Sequence, residues 1–432
     1  MLLIYNLIQI TAGLLLLPVL LPLVLFTPKY RWVTLQRLGL RLKKISAGPD
    51  RRQPVIWVHA LSVGEVSSSR ALVRRLRREY PHGELLFSAS TRSGREYAER
   101  VLADDVDRII PFPLDFLLSV EAFLRTFEPD LFVLVETDLW PNLLAGLRRH
   151  QVKAVLVNGR VSEQSFRSYK RFAWFFAPLF NSFSSLAMQA GADVARMKEL
   201  GVGDERLRCL GNLKYGILDE PADIGKTCEN LPPEINEDHR IWVAGSTHRG
   251  EEEIVLRAYK KLLDAYPDLY LILAPRNIER ADEVADLAGQ EGLVPARRSE
   301  GKTGGDLLLL DTLGELAGLY EYCEFAFIGG SLVEERGHNP LEAAVFARPV
   351  IFGPHMEDFS EIADDLVSCG GAVSVADESA MVGVLGGWLA DPRLKVQAGT
   401  GGARLVAERS GTTEKHLALI QKLLAERNAD ED

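Results

Sequence analysis

Hydrophobic and polar positions divide the chain into an apolar N-terminal segment and two series of short apolar runs with a less regular stretch between them. Residues 2–26 carry no charged side chain. After residue 50, short apolar runs end in Gly, Ser, Asn or Pro and lead into amphipathic helices. This alternation predicts mostly parallel sheets that are covered by helices on both faces.

The apolar runs predict the strands of two separate sheets. The first series comprises Val55–His59, Leu85–Ala89, Leu131–Val135, Ala154–Asn158 and Ser185–Gln189. The second series comprises Ile241–Gly245, Leu269–Ala274, Leu307–Asp311, Phe325–Ile328, Val350–Phe352 and Ala372–Val375. Predicted helices include Val66–Tyr80, Glu251–Ala265 and Asp358–Val367.

The stretch between the two series predicts a domain boundary. Residues 216–238 have no clear period and contain Pro221, Pro232 and Pro233, as a linker would. We therefore expect an α/β protein with two doubly wound, Rossmann-like domains, 28–215 and 239–432, and a cleft between them.

The N-terminal segment predicts a membrane anchor over residues 1–27. Twenty-five helical residues reach about 37 Å at 1.5 Å per residue, which exceeds a hydrocarbon core of ~30 Å. A cleaved signal peptide is the alternative, but it needs positive charge before its apolar core. Here the basic residues follow the run, which predicts an uncleaved anchor with the domains in the cytoplasm, whether the helix spans the membrane or lies in one leaflet. These residues are Lys29, Arg31, Arg37, Arg41, Lys43 and Lys44.

Composition narrows the class of protein and reveals a charge asymmetry. Apolar residues make up 47% and charged residues 25% of the chain, which excludes disordered, collagenous and multi-span membrane proteins. Four widely spaced cysteines exclude a disulfide scaffold and a zinc ribbon. The net charge of −10 divides into +10 for residues 1–215 (30 Lys/Arg, 20 Asp/Glu) and −20 for the remainder. The first half is therefore expected to meet an anionic partner.

Polar residues that follow the strands of the first series are candidates for chemistry, since ligands of parallel sheets bind beyond the carboxyl ends of strands. Glu65 lies at a helix start, where it either complements the helix dipole or acts as a carboxylate base. Glu136 and Asp138 both follow a strand. We expect Asp138 to cap the next helix, which leaves Glu136 as the functional candidate. Lys214, beside the linker, is either solvated or neutralises an anion.

The second series offers groups that suit an anionic ligand. Ser246 or Thr247 is expected to cap the helix with an acidic first turn, and Arg276 at the next strand end can bind phosphate or carboxylate bidentately. The most specific stretch is F-I-G-G-S-L-V-E-E-R-G-H-N-P-L-E-A-A, residues 327–344. There Asn339 and Glu342 fit a capping-box variant, and the same helix start could face a nucleotide phosphate.

Other kinds of site find no support in the sequence. There is no Walker motif, no G-x-G-x-x-G after a strand, no H-E-x-x-H helix and no Gly-x-Ser-x-Gly elbow. The eight histidines form no cluster with ligand spacing, so we expect neither a metal nor another cofactor.

These motifs together resemble the family of 3-deoxy-D-manno-octulosonic acid (Kdo) transferases of lipopolysaccharide synthesis, over nearly the whole chain. The resemblance lies in H-A-L-S-V-G-E-V (59–66), S-T-R-S-G (90–94), E-T-D-L-W-P-N (136–142), G-N-L-K (211–214), P-R (275–276), L-G-E-L (313–316) and N-P-L-E-A-A (339–344).

The resemblance implies an inverting, metal-independent glycosyltransferase of the GT-B fold at the inner membrane. It implies that Glu65 is the base, that Glu136 and Lys214 stabilise the transition state, and that the donor is CMP-Kdo. The implied acceptor is the 6'-hydroxyl of a tetraacylated lipid A precursor (lipid IVA), and no nucleic acid partner is implied. The implied CMP-binding residues are Pro275, Arg276, Leu313, Gly314, Glu315, Asn339, Pro340, Leu341 and Glu342.

Two other functions remain open from the sequence. A membrane-associated GT-B transferase that uses a UDP-sugar would have the same fold and composition. A membrane-tethered nucleotide-binding scaffold without activity would retain Asn339–Glu342 but would not need Glu65. The number of Kdo residues transferred and the oligomeric state are not encoded in any of these motifs.

Overall fold

The chain folds into two compact units. The computed structural model describes residues 2–26, 34–40, 42, 53–219, 232, 239–301 and 304–431. The first unit comprises Met1–Gly216 and Gly411–Asp432, and the second comprises Ile217–Ser410. Most of the predicted linker 216–238 lies outside the described residues, and so do Lys29, Arg31, Arg41, Lys43 and Lys44.

The first unit contains a seven-stranded parallel sheet in the order β3-β2-β1-β4-β5-β6-β7. Its strands are β1 (Val55–Ala60), β2 (Glu84–Ala89), β3 (Arg108–Ile110), β4 (Leu131–Val135), β5 (Lys153–Gly159), β6 (Ser185–Met188) and β7 (Leu207–Cys209). The chain builds outward from β1 to β3 and then restarts with β4 on the other side of β1, so the strand order reverses between β1 and β4.

Helices of the first unit cover both faces of this sheet. Those that precede the second unit in the described residues are α1 (Leu2–Phe26), α2 (Val63–Glu79), α3 (Arg92–Val101), α4 (Leu117–Phe127), α5 (Pro141–Arg149), α6 (Glu163–Arg171), α7 (Ala173–Phe180) and α8 (Gly191–Glu199). Alternate residues of β1 enter different cores: Trp57 packs in one cluster with Phe123 and Phe132, whereas Ile56 and Val58 pack in the other. This period of two explains how a short apolar strand stabilises two helical layers.

The second unit repeats the architecture with strand order β10-β11-β9-β8-β12-β13-β14, again all parallel. Its strands are β8 (Arg240–Thr247), β9 (Leu269–Pro275), β10 (Pro295–Arg297), β11 (Leu307–Leu309), β12 (Phe325–Ile328), β13 (Val350–Phe352) and β14 (Ala372–Ser374). Its helices are α9 (Glu252–Leu263), α10 (Ala281–Gln290), α11 (Leu316–Leu319), α12 (Leu341–Ala344), α13 (Ser360–Ser368), α14 (Glu378–Ala390) and α15 (Pro392–Arg409). The prediction of two doubly wound parallel-sheet domains is confirmed.

The last helix, α16 (Thr412–Glu431), belongs to the first unit. Its residues Leu417, Ile420, Leu423 and Leu424 are buried in the cluster that contains Val58. The predicted range 239–432 for the second domain therefore differs from the structure after Ser410. Side chains spaced three and four residues apart give α16 an apolar face that packs against the first sheet and its helix layer.

The N-terminal segment forms one helix, α1, whose side chains are described as far as Leu16 and at Pro18. Among the residues described in this way, no helix is sufficiently long and apolar to traverse a membrane. The N-terminal anchor therefore stays a prediction.

Candidate active site

The predicted carboxylates of the first unit follow the two strands between which the strand order reverses. Glu65 follows β1, and Glu136 follows β4. β1 and β4 are hydrogen-bonded neighbours, with Val58 opposite Val133. In doubly wound sheets, ligands bind at this reversal, beyond the carboxyl ends of the strands. The fold thus brings two residues that are 71 positions apart to one edge of the sheet.

Glu65 is the third residue of α2 and is only 9% exposed. Its Oε2 atom accepts a hydrogen bond from the backbone N–H of Leu61 in the turn that precedes the helix. Burial is the main cause that raises the pKa of the Glu65 carboxyl to about 8; the charges of Glu136 and Asp138 act in the same direction, and the Leu61 bond opposes them. A carboxyl group with this pKa is a competent proton acceptor near neutral pH.

Glu136 is held at the end of β4 by its backbone and by Asn158. Both residues have a left-handed backbone, with φ of 60° and 56°, which is uncommon outside glycine and concentrates at functional sites. The N–H of Glu136 donates to the carbonyl oxygen of Val157 at 2.9 Å, and Asn158 Nδ2 donates to Glu136 Oε1 at 3.4 Å. The side-chain amide of Asn158 therefore orients the Glu136 carboxylate.

Asn158 also binds the segment that carries Lys214. Asn158 Oδ1 accepts from the backbone N–H of Leu213 at 2.9 Å, and Asn212 Oδ1 accepts from that of Lys214 at 3.0 Å. The structure thus places the backbone of Lys214 beside the residue that holds Glu136. Among the predicted residues of the first unit, Glu65 and Glu136 interact electrostatically, and Lys214 is linked to them through Asn158.

His416 is a buried neighbour of this cluster that sequence reasoning missed. Burial lowers the pKa of His416 to about 4, so its ring is neutral. Nδ1 lies 2.8 Å from the Thr412 carbonyl oxygen, to which it donates, and Nε2 accepts from the backbone N–H of Asn158 at 3.4 Å. No local pattern could indicate this contact, because it depends on the return of α16 to the first unit.

The prediction that Asp138 caps the next helix is wrong. Helix α5 begins at Pro141, so its cap position falls on Trp140. Asp138 Oδ2 instead accepts from the indole Nε1 of Trp140 at 2.8 Å. The first turn of α5 is capped by Asp115, which accepts from the N–H groups of Asn142 (3.1 Å) and Leu143 (2.8 Å).

In the second unit, Arg276 and Glu342 lie near one another at the strand ends. The N–H of Arg276 donates to the Thr247 carbonyl oxygen at 2.9 Å, which joins the ends of β9 and β8. Burial raises the pKa of Glu342 to about 7, against the charge of Arg276 and a hydrogen bond with Asn339, which both lower it. The helix begins at Leu341 and its cap position falls on Pro340, so the prediction that Asn339 is the cap is wrong by one residue, although Asn339 Oδ1 accepts from the N–H of Leu341 at 3.1 Å.

The predicted Leu313–Gly314–Glu315 turn follows β11. Gly314 has φ of 90°, and the Leu313 side chain is 71% exposed. The Glu315 carboxylate accepts from Thr312 Oγ1 at 2.6 Å and from Arg298 Nε at 2.8 Å, so it holds the turn rather than pointing freely outward. Tyr320 follows this turn, and its hydroxyl pKa is raised by burial and by the charge of Glu342.

A cavity of about 490 Å³ opens beside these strand ends. Its lining includes Thr247, His248, Asn277, Arg280 and Val333, and none of the predicted CMP-binding residues. His248 Nε2 lies 2.9 Å from His338 Nε2, so one ring donates and the other accepts. The cavity lies next to the predicted CMP-binding residues, because Asn277 in its lining follows Arg276, and His248 contacts His338, which precedes Asn339. Its volume suits a small ligand.

Glu251 organises one wall of this cavity and was not anticipated. The carboxylate is fully buried and accepts from four backbone N–H groups, those of His248 (2.9 Å), Gly330 (2.6 Å), Ser331 (2.9 Å) and Leu332 (2.8 Å). The expected cap by Ser246 or Thr247 is absent, since α9 begins after Glu251 and Thr247 Oγ1 donates to Glu252 instead. Glu251 thus ties the turn after β12 to the turn after β8.

We expect Glu251→Gln to destabilise the second unit by about 2–4 kcal/mol, because the amide group would face backbone donors that need an acceptor. Urea unfolding of the full chain measures this. The exposed Glu279, on a neighbouring turn, provides the control: Glu279→Gln is expected to stay within about 0.5 kcal/mol of wild type. Equal stability of the two variants would contradict the role given to Glu251.

Within the described ranges, no three His, Cys, Asp or Glu side chains form a group that could hold a metal ion. At the strand ends, the structure offers carboxylates, an arginine and an amide network as groups for chemistry.

The two units have the architecture of two Rossmann-like, parallel-sheet domains that GT-B proteins share. The structure of UDP-GlcNAc 2-epimerase from Neisseria meningitidis bound to UDP-GlcNAc has the same fold, with a TM-score of 0.59 at 12% identity, over 85% of this chain and 99% of that one. The C-terminal CMP-Kdo binding domain of WaaA from Acinetobacter baumannii is 29% identical over 43% of this chain and 98% of its own, with a TM-score of 0.40.

Sequence relatives are more specific. Residues 35–217 match the 3-deoxy-D-manno-octulosonic-acid transferase (kdotransferase) family. The 3-deoxy-D-manno-octulosonic acid transferase of Haemophilus influenzae is 34% identical over 406 residues, which cover 93% of each chain. The chain therefore belongs to the Kdo transferase family, as predicted, and is a glycosyltransferase of lipopolysaccharide biosynthesis.

Proposed function

We propose that the protein transfers Kdo from CMP-Kdo to the 6'-hydroxyl of a tetraacylated lipid A precursor, with inversion at the anomeric carbon. The observation that carries this proposal is the Glu65 carboxyl, which is buried at the carboxyl end of β1 beside Glu136 and has a pKa of about 8. The relative from Haemophilus influenzae, named as a Kdo transferase, supports the sugar.

Glu65 acts as the general base in this proposal. It takes the proton of the acceptor hydroxyl as the oxygen attacks the anomeric carbon, and the bond from that carbon to the phosphate oxygen of CMP breaks. A single displacement inverts the configuration. Removal of the proton by a positioned carboxylate contributes roughly 10²–10⁴-fold to the rate.

Glu136 and Lys214 stabilise the charges that develop during transfer. The Glu136 carboxylate, oriented by Asn158, suits the positive, oxocarbenium-like carbon, and the Lys214 ammonium suits the phosphate that leaves. The amide of Asn158 holds both segments, so a substitution there would disturb the two groups together.

The residues at the strand ends of the second unit bind the donor. Arg276 offers a guanidinium for its phosphate, and Asn339 and Glu342 offer an amide and a carboxyl group for hydroxyls. Pro275, Pro340 and Leu341 shape the backbone around them. The exposed Leu313 packs against the cytosine base of CMP. Gly314 and Glu315 hold the turn that carries Leu313.

Features of the first unit support the proposed acceptor and the proposed location. Its net charge of +10 over residues 1–215 suits a phosphorylated lipid, and exposed apolar residues suit a membrane surface. Besides those of α1, they are Leu40, Phe116, Leu117, Leu118, Phe172 and Trp174 among the described residues. We place the protein at the inner membrane, with an N-terminal anchor and both units on the cytoplasmic side.

Incubation of the purified protein with CMP-Kdo and the tetraacylated precursor, without added metal, tests this function. Mass spectrometry of the lipid is expected to show one or more added Kdo masses. An unchanged lipid mass, with the protein folded and the donor intact, would reject the proposal. A screen of UDP-sugars would then test the alternative donor, and CMP and UDP can be compared by their effect on the melting temperature.

The pH dependence of transfer is expected to reveal the Glu65 carboxyl. Because the base must be deprotonated, and burial raises its pKa to about 8, the rate should fall about tenfold per pH unit below that value. Glu136→Gln removes a charge that raises this pKa, so the acidic limb of the pH–rate profile should shift to lower pH while the maximal rate drops. An identical limb in both proteins would assign the titration to another group.

A further inference from the structure

Helix α1 has an arrangement opposite to that of a soluble amphipathic helix. Its half-buried residues are Leu2, Tyr5, Asn6, Gln9 and Gly13, a stripe with spacings of three, one, three and four. Three of these five carry polar groups. The other described aliphatic side chains of α1 before Pro18 that are longer than alanine are 52–87% exposed, namely Leu3, Ile4, Leu7, Ile8, Ile10, Leu14, Leu15 and Leu16. The polar side of the helix thus faces the protein.

Two buried polar residues of the first unit receive the stripe. Tyr5 Oη donates to Asp115 Oδ2 at 2.8 Å. The amides of Asn6 and Asn142 bond reciprocally, at 3.0 Å and 2.8 Å, and Asn142 Nδ2 also lies 3.3 Å from Gln9 Oε1. We call these five side chains the polar joint. Asp115 and Asn142 are 6% and 1% exposed, so the bonds form away from solvent, where an unpaired group costs about 1–3 kcal/mol.

The polar joint connects α1 to the first turn of α5. Asp115 bonds Tyr5 and also caps α5 through the N–H groups of Asn142 and Leu143. Asn142 belongs to the stretch E-T-D-L-W-P-N that begins with Glu136. The ring of Tyr5 lies 6.3 Å from that of Phe175 in α7, which gives α1 a second support. The helix is therefore fixed at two places on the unit.

We propose that the polar joint seats α1 rigidly on the first unit, so that its apolar side contacts the acyl chains of the bilayer and its polar side sets the orientation of the unit. Asn6 and Gln9 are unfavourable in a simple hydrophobic anchor. Here they form the hydrogen bonds that hold α1 in its position on the first unit. The lipid contact rests on the proposed membrane location, whereas the fixed position of α1 is argued only from contacts within the first unit.

The double variant Asn6→Leu/Gln9→Leu separates a seated helix from a simple hydrophobic tether. It makes α1 more apolar and removes two members of the polar joint. Spin labels on cysteines at Leu3 and Leu118, both highly exposed, report the distance between α1 and α4 by pulsed electron paramagnetic resonance. The native cysteines are replaced by serine, and the control is Ile4→Leu/Ile8→Leu on the open side of α1.

A seated helix gives a narrow distance distribution in the wild type and the control, and a broad one in the double variant. A broad distribution in the wild type, or a narrow one in the double variant, would overturn the proposal. This readout needs no activity, so it stands apart from a failure of the proposed function.

Function and binding provide the second readout. The double variant is expected to bind vesicles of phosphatidylethanolamine and phosphatidylglycerol as well as the wild type does. Transfer to the lipid A precursor in those vesicles should fall about tenfold to a hundredfold, as expected when a reacting group is misplaced by about 1 Å. Retained binding with full transfer would show that a tether suffices and would reject the orienting role.

Discussion

Glu65→Gln is expected to lower the transfer rate by about 10²–10⁴-fold while donor binding stays unchanged, because the amide keeps the shape of the side chain but cannot accept the hydroxyl proton. The side-chain oxygen of the introduced glutamine can still accept from the Leu61 N–H, so the turn before α2 should remain in place. Mass spectrometry of the lipid product gives the rate, and the CMP-induced rise in melting temperature gives the binding.

Glu79→Gln is the matched control for this experiment. Glu79 lies at the other end of α2 and is exposed, so its substitution should leave transfer within a factor of about two of wild type. If Glu65→Gln retained a tenth or more of the wild-type rate, the base would have to be another group, and the charges of Glu136 and Asp138 beside it would be the first to test.

Arg276→Gln is expected to raise the KM for CMP-Kdo by about 10–100-fold, with a smaller effect on kcat. The variant loses a charge-assisted, bidentate hydrogen bond to phosphate, which is worth roughly 1.5–3 kcal/mol. The loss also removes a charge that lowers the pKa of Glu342, so this carboxyl should bind a proton more tightly. Steady-state kinetics with a saturating acceptor separate KM from kcat.

Arg257→Gln provides the comparison for Arg276, since Arg257 lies on α9 in an ion pair with Glu378 and is not among the residues assigned to the donor site. Its substitution should leave the KM for the donor unchanged. An equal rise in KM for both variants would indicate general destabilisation of the second unit, and no rise for either would remove Arg276 from the donor site.

The order and type of most elements could be predicted because central strands have a strong local signal. Leu131–Val135, Phe325–Ile328 and Val350–Phe352 match the structure residue for residue. The three strands that were missed are β3, β7 and β10, each of three residues, with a charged side chain, and at an edge of its sheet. A three-residue edge strand with a charged side chain has no apolar run to detect and exists because a neighbour pairs with it, whereas β14, which has no charged residue, was predicted.

The residues of the candidate site also divide into those that a local pattern locates and those that it does not. Glu65, Glu136 and Arg276 could be located at strand ends because a local motif and the rule for parallel sheets suffice. The partners of these residues could not be predicted. Asp115 caps a helix that begins 26 residues later, Glu251 bonds a turn about 80 residues away, and His416 reaches Asn158 from the last helix. Such contacts depend on tertiary structure, which no local pattern encodes.

The return of α16 to the first unit has a consequence for biosynthesis. On the ribosome, residues 1–216 emerge first, yet the apolar surface that Leu417, Ile420, Leu423 and Leu424 cover stays open until the end of the chain is made. The second unit, 217–410, is continuous and can fold in the interval. The unit that begins the chain is thus completed last. A messenger RNA truncated shortly before codon 412 would yield a complete second unit and an incomplete first unit.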